Sequence, residues 1–369
     1  MIKIAFVINT IYSPTGGTEK QLLLLLKNLD RGRFLPVLCV LYKSEWLKKE
    51  FDLCPVYEIG IRSYKNPACL YRLWQFVRFI KSENFNIVQT LFQDGMRVGI
   101  LAGKLAKAPA IIAVRRNQGY WMTRLDRVVF GILNRWVTLF IANSNSTRKW
   151  ASEFECIPED KIHVVHNGLQ LEPFDSAKTQ SRRKLREEFS IPESAQVVGI
   201  VANLRPVKAV DVFIRAAKKV SVEIPSAHFV IVGCGDLEGP LRFLAESLGI
   251  SACVHFLGER RDIVEVLSVF DLGVLSSSSE SFSNSIVEYL ASGLPVVCTD
   301  VGGAREAVID DVNGFVVGVG DFEAMAGRIT TILKTGLVTQ MGMQSKIFAG
   351  RNFSLAAMIE KHEQLYGNF

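Results

Sequence analysis

The feature that most restricts how this chain can fold is an alternation that runs twice. Short apolar runs are separated by stretches of helical periodicity, first over Ile4–Ile8, Leu35–Tyr42, Ile87–Leu91, Ile111–Val114 and Leu139–Ala142. The pattern resumes at Val197–Val201 and continues through Phe229–Val232, Val254–Leu257, Leu272–Leu275, Val296–Cys298 and Phe315–Val317. Strands alternating with helices imply parallel sheets covered on both faces, so the predicted class is α/β with two Rossmann-like domains facing a central cleft. A length of 369 residues also suits two cores better than one. The composition shifts to charged residues and prolines between Leu171 and Ser194, which places the boundary near Asp175. The expected domains are therefore 1–175 and 176–352, followed by the C-terminal segment 353–369. The run Ser181–Glu188 reads as an exposed helix, because acidic residues end it.

Bulk properties narrow the function classes. Apolar residues make up 49% and charged residues 22%, as in a globular enzyme, and the net charge of +6 is modest for the length. Seven scattered cysteines without Cys-x-x-Cys spacing indicate neither a disulfide framework nor a zinc ribbon, and fit a reducing, cytoplasmic setting. The N-terminal run stops at Asn9 and reads as a strand rather than a signal peptide. No run is long enough to span a membrane; Val128 to Ile141 is cut by Arg135. Five histidines lack metal-ligand spacing, and neither Asp-x-Asp nor a Gly-x4-Gly-Lys-Ser/Thr loop occurs, so no metal or other cofactor is expected.

In open parallel sheets, ligands sit beyond the carboxyl ends of strands, so the loops there are the candidates. After the first strand comes Gly16-Gly17-Thr18-Glu19, opening a helix that can meet an anion; on its own it suits a plain turn with Thr18 as cap slightly better. Arg205 and Lys208 follow the strand Val197–Val201, and two cations there suit a diphosphate, although a bare Arg-x-x-Lys is usually a solvated loop. Past Leu275 lies a serine-rich loop with Glu280, then Ser283, Asn284 and Ser285, whose amides can meet a phosphate, and Glu288 two turns on. The bland alternative makes Glu280 a helix cap and Glu288 a surface charge.

Glu280 and Glu288, eight positions apart and followed by Ala291-Ser292-Gly293-Leu294-Pro295, resemble the Glu-x7-Glu signature of glycosyltransferase family 4, retaining enzymes of the GT-B fold. Arg205 with Lys208, the loop Gly16–Glu19, Val165-His166-Asn167-Gly168, Phe256-Leu257-Gly258 with Asp262, and Gly302-Gly303 match its other motifs in order across about Met1 to Phe322. The resemblance implies that Glu280 binds donor-sugar hydroxyls, Glu288 the nucleotide ribose, and Arg205 and Lys208 the diphosphate. Gly16 and Gly17 would close over the donor, Gly233 would lie near the base, and the resemblance further implies that 353–369 forms a final helix crossing back to the first domain. Arg205, Lys208 and Glu280 are the catalytic candidates, and Gly233, Gly258 and Ser283–Ser285 join the donor site. The implied partners are a nucleoside-diphosphate sugar and a glycan or lipid-linked acceptor, as in cell-surface polysaccharide or lipopolysaccharide synthesis, without metal or nucleic acid. One departure stands out: the loop after Ile87–Leu91 lacks the histidine that many relatives carry, and Arg115, Arg116 and Asn117 are the acceptor-side candidates to replace it.

Two other classes compete. Gly233-Cys-Gly235-Asp-Leu-Glu-Gly239 is similar to a dinucleotide fingerprint with its last glycine one residue late, which would fit an NAD-dependent oxidoreductase but leaves the glutamates unexplained. A non-catalytic sugar-nucleotide binder is the third class. The stretch Arg115–Arg127, then Phe130, Arg135 and Trp136, interleaves arginines with aromatics. It suits a helix at an anionic membrane surface, at the inner face of the cytoplasmic membrane. Equally, it suits a core helix that buries Leu125, Val128, Val129, Ile132 and Trp136 and leaves its arginines in water.

Overall fold

The computed structural model describes residues 1–14, 16–119, 122–175 and 179–369. Thr15 of the glycine loop and Tyr120 and Trp121 of the arginine–aromatic stretch lie outside the described residues. The chain forms two compact units, one of Met1–Gly168 with Leu355–Phe369 and one of Leu169–Ser354. The divisions thus fall at Gly168 and Ser354 rather than at positions 175 and 352.

In the first unit the strands are β1 (Ile2–Ile8), β2 (Phe34–Val40), β3 (Val56–Glu58), β4 (Ile87–Thr90), β5 (Ala110–Arg115), β6 (Leu139–Ala142) and β7 (Ile162–Val164). They pair in parallel in the order β3-β2-β1-β4-β5-β6-β7. Because helices cover both faces, the strands are apolar throughout instead of alternating, and Ile4 to Ile8 have no exposed surface at all. The short edge strands β3 and β7 carry no such run, and the apolar pattern does not announce them.

In the second unit come β8 (Gln196–Val201), β9 (Ala227–Val232), β10 (Val254–Phe256), β11 (Leu272–Leu275), β12 (Val296–Thr299) and β13 (Gly314–Val317). Their order, β10-β9-β8-β11-β12-β13, repeats the plan of the first sheet, all parallel. In both sheets the strand order reverses beside the first strand, between β1 and β4 and between β8 and β11. The connections leave in opposite directions there, and a crevice opens at the carboxyl ends.

The charge run on the helix Thr179–Glu188 is not simply solvated. Leu185 and Arg186 are buried, and Arg186 donates to the carbonyls of Pro192 (3.1 Å), Glu193 (2.6 Å) and Ala195 (3.0 Å). Arg182 donates to Asp271 at 2.7 Å. Periodicity could not reveal this, because the partners are tertiary.

The final helix, Leu355–Tyr366, packs on the first sheet. Its Tyr366 is fully buried edge-on to Phe6 and Phe34, and donates its hydroxyl to Gln89 Oε1 at 2.7 Å.

Candidate active site

The carboxyl ends of β8 and β11, neighbours in the sheet, carry the candidate residues of the second unit. At the pairing Gly199↔Gly273 both positions are glycine. A Cβ on Gly199 would come within 2.0 Å of the Phe270 ring, and one on Gly273 within 2.5 Å of the Tyr289 ring. That room lets Tyr289 lie fully buried against the sheet, where its hydroxyl accepts from the Val201 amide at 2.7 Å. Tyr289 belongs to the helix Asn284–Ala291, so this contact sets the position of Glu288 and of the helix N-terminus.

The loops after β8 and β11 are knitted together. Ser276 Oγ donates to the Lys208 carbonyl (2.9 Å), and the Ser278 amide and hydroxyl donate to the Val207 carbonyl (2.9 and 3.2 Å). Lys208 Nζ reaches Glu280 Oε1 at 2.5 Å, and Ser277 Oγ donates to the same oxygen at 2.8 Å. Lys208 and Glu280 are thus brought together as a half-buried ion pair. Arg205, expected as the partner cation of Lys208, is exposed and forms no ion pair among the described residues.

A third loop holds Glu280 from behind. Gly302 has φ +52°, and a Cβ there would sit 2.3 Å from the Glu280 carbonyl oxygen. The next amide, of Gly303, donates to the Ser281 carbonyl at 2.8 Å. Only glycine allows this approach without moving the glutamate. Ser283, the N-cap residue, turns its hydroxyl to Ser285 Oγ (2.9 Å) instead of to the first-turn amides. Glu288 is buried, so it is not a surface charge.

The loops after β9 and β10 close the other side. Gly233, at φ +132°, would carry a Cβ 2.0 Å from the Ala202 carbonyl, and its amide donates to the Gly258 carbonyl at 2.8 Å. Gly235 similarly abuts the Leu204 carbonyl. These glycines serve loop-to-loop packing, which accounts for the apparent dinucleotide fingerprint without a dinucleotide.

In the first unit, Gly17 opens the helix Gly17–Asn28 and Gly16 is its N-cap, with φ −61°. A Cβ on Gly16 would meet only the mobile end of Glu19, so the backbone itself does not demand glycine there. Arg115, grouped with Arg116 and Asn117 on the acceptor side, lines the same small pocket as they do, with its charge already met by Glu155. It is 4% exposed and paired with an equally buried Glu155 at 2.8 Å, with Asn134 at 2.9 Å and Phe140 below the guanidinium. Arg116 lines that pocket too, with Asn117, Thr18 and Phe92, and donates to Asn167 Oδ1. Burial of its guanidinium pushes Arg116 down to about 10, with Glu19 acting in the opposite sense.

In the loop after β4, Phe92 has φ +57°, a strained setting for a bulky side chain. Sequence reasoning noted the missing histidine but not this turn. It also missed Gln89, His362 and Tyr366, which meet in the interior of the first unit (His362 Nδ1 to Tyr366 Oη 3.1 Å). Gln89 and Tyr366 are 277 positions apart, and no local signal joins them. Among the described residues, no group of three or more His, Cys, Asp or Glu side chains is placed to hold a metal ion.

Tandem parallel sheets of this order, with polar loops gathered at a switch point, define the GT-B class of two-domain folds. Residues 15–173 match the family model described as Glycosyltransferase Family 4, and residues 181–346 the model described as Glycosyl transferases group 1. The chain belongs to the group 1 glycosyltransferases of family 4. It is similar to the UDP-Gal:alpha-D-GlcNAc-diphosphoundecaprenol alpha-1,3-galactosyltransferase of Escherichia coli, at 26% identity over 98% of this chain and 89% of that protein. A D-inositol 3-phosphate glycosyltransferase of Mycolicibacterium smegmatis is 37% identical over 47% of this chain and 40% of its own length. Apart from the galactosyltransferase, the match spans about half or less of these curated relatives. The fold is that of Anabaena Alr3699/HepE in complex with UDP, with a TM-score of 0.87 and 22% identity over all of both chains.

Proposed function

We propose that the protein is a retaining transferase that moves a hexose-type sugar from a nucleoside-diphosphate sugar to a glycan or lipid-linked acceptor, in surface polysaccharide or lipopolysaccharide assembly. The observation that carries this reading is the Lys208–Glu280 pair, set by Gly302 beside the N-terminus of the helix Asn284–Ala291. Lys208 and Arg205 offset the diphosphate charge, and the amides of Ser283–Ser285 add hydrogen bonds to it. Glu280 accepts from sugar hydroxyls and Glu288 from the ribose. The departing phosphate, held by the cations, takes the acceptor proton on the face it leaves. Gly233 and Gly258 shape the base side, Gly16 and Gly17 leave room above the donor, and Arg116 and Asn117 serve the acceptor. No metal is required for these steps.

Peripheral contact with the cytoplasmic face of the membrane belongs to the same reading. The helix Arg124–Leu133 buries Asp126, Phe130 and Leu133, and turns Leu125 (73%), Val128 (62%) and Ile132 (49%) outward among Arg124, Arg127 and Arg135. This overturns the core-helix expectation for Leu125, Val128 and Ile132, while Val129 and Trp136 stay partly buried against the core. No helix among the described residues is long and apolar enough to cross a membrane. The galactosyltransferase relative, whose name specifies a lipid-diphosphate acceptor, supports such a setting.

Thermal unfolding with UDP, GDP, ADP and NAD tests the reading. One nucleoside diphosphate should stabilise the wild type, by about 2.7 kcal/mol at a hundredfold excess over Kd, and not Glu288→Ala. A response to NAD alone, or to no nucleotide, would refute it.

A further inference from the structure

A second cavity, of about 440 Å³, opens in the first unit between the segment 61–73 and the helix Gln93–Ala106. Its size falls within the range of about 300–1,000 Å³ typical of small-molecule sites. Ile61, Leu70, Leu73, Val98 and Leu101 line it, with Lys65 at its rim. Arg97 also borders it, but its charge is already taken by Asp94 at 3.0 Å and by Asp126.

Apolar surface continues outward from the cavity. Leu70 is 74% exposed, and Tyr71 and Trp74 on the same helix, Ala68–Ser82, are about half exposed. Such a patch on a folded unit marks a surface meant to be covered. The charge around it is one-sided: from Ile59 to Ser82 the chain carries Arg62, Lys65, Arg72, Arg78 and Lys81 and no aspartate or glutamate. Arg62 and Lys65 are exposed, and Arg78 lies over the Trp74 ring at 4.8 Å. On its other side, the helix Gln93–Ala106 is bridged through Arg97 to the helix Arg124–Leu133, whose exposed face is also apolar and basic.

We propose that this groove binds the hydrocarbon chain of a lipid with an anionic phosphate head. A largely apolar slot accepts a chain that brings no hydrogen-bonding groups to satisfy, and with Asp94 beside Tyr64 already neutralised by Arg97, the exposed Arg62 and Lys65 select the negative head. Identifying this lipid as the anchor of the sugar acceptor rests on the transferase reading. The groove itself does not.

Isothermal titration of the full chain with farnesyl phosphate tests the proposal, with the nucleotide response measured on the same samples. Saturable binding of one equivalent is expected, without competition from inorganic phosphate. Leu70→Glu sits at an exposed position, so the fold is retained. By displacing about two methylenes from the groove it weakens binding about tenfold. Lys65→Glu weakens it severalfold through the head alone. Absent binding, equal binding by Leu70→Glu, or displacement by inorganic phosphate would each overturn the groove. Farnesyl phosphate binding without any nucleotide response would uphold the groove and sink the transferase reading. The reverse pattern would sink the groove alone.

Discussion

Replacing Glu280 by glutamine separates the two tasks assigned to the half-buried pair. In the free protein Lys208 is held by Glu280 at 2.5 Å, with side-chain exposures of 25% and 14%. Exposed pairs contribute under about 1 kcal/mol, while breaking a buried pair costs about 3–5 kcal/mol, so this one lies near the lower end at about 1–1.5 kcal/mol. A diphosphate that recruits Lys208 must first give up that contact. Glutamine keeps the shape but removes the competing charge, so nucleoside diphosphate alone should bind Glu280→Gln about five- to tenfold more tightly. Turnover moves the other way. Loss of a charged acceptor for a sugar hydroxyl costs about 1.5–3 kcal/mol, or about 10- to 150-fold in rate. Calorimetric titration with the nucleotide that stabilises the wild type, beside donor-sugar consumption, reads both. Weaker nucleotide binding by Glu280→Gln would refute the competition, and unchanged turnover would remove Glu280 from the chemistry.

Arg115→Met should lower stability by about 3–5 kcal/mol, because it strands the Glu155 carboxylate in the interior, and should lower Tm by about 10 °C. Adding Glu155→Leu should recover most of that loss, and a normal Tm with impaired acceptor use would instead return Arg115 to the site. His362 supplies a pH signature. Burial, reinforced by Arg116, pushes it down to about 3 from an ordinary value near 6.5, so the folded state requires the neutral ring. Its contribution is fully present above about pH 6.5 and is lost as pH falls from there towards 3, at up to about 1.4 kcal/mol per pH unit. Urea midpoints at pH 7, 5 and 4 should therefore fall less steeply in His362→Gln than in the wild type; equal slopes would show that His362 is not the group responsible.

Much of the frame is local information and could be read from the chain. A parallel strand covered on both faces must be apolar throughout, so runs such as Ile4–Ile8 and Leu272–Leu275 announce themselves, as does the alternation that makes two α/β units. The spacing of Glu280 and Glu288 is local too, because both ride on one loop and its helix. Tertiary structure decided what depends on partners distant in sequence. Arg115 and Arg116 are adjacent, chemically alike and line one small pocket, yet Arg115, the last residue of β5, is neutralised by a buried Glu155, while Arg116, just past the strand, donates to Asn167. Gly302 reads as a turn until the Glu280 carbonyl is found against it, and Arg186 reads as a surface charge until three carbonyls surround it. The helix Arg124–Leu133 shows the limit most directly. Its periodicity defines an apolar stripe, but which face turns inward depends on where Arg97 meets Asp126 and where Phe130 finds its cavity, and that is settled by packing between elements rather than by the pattern within one.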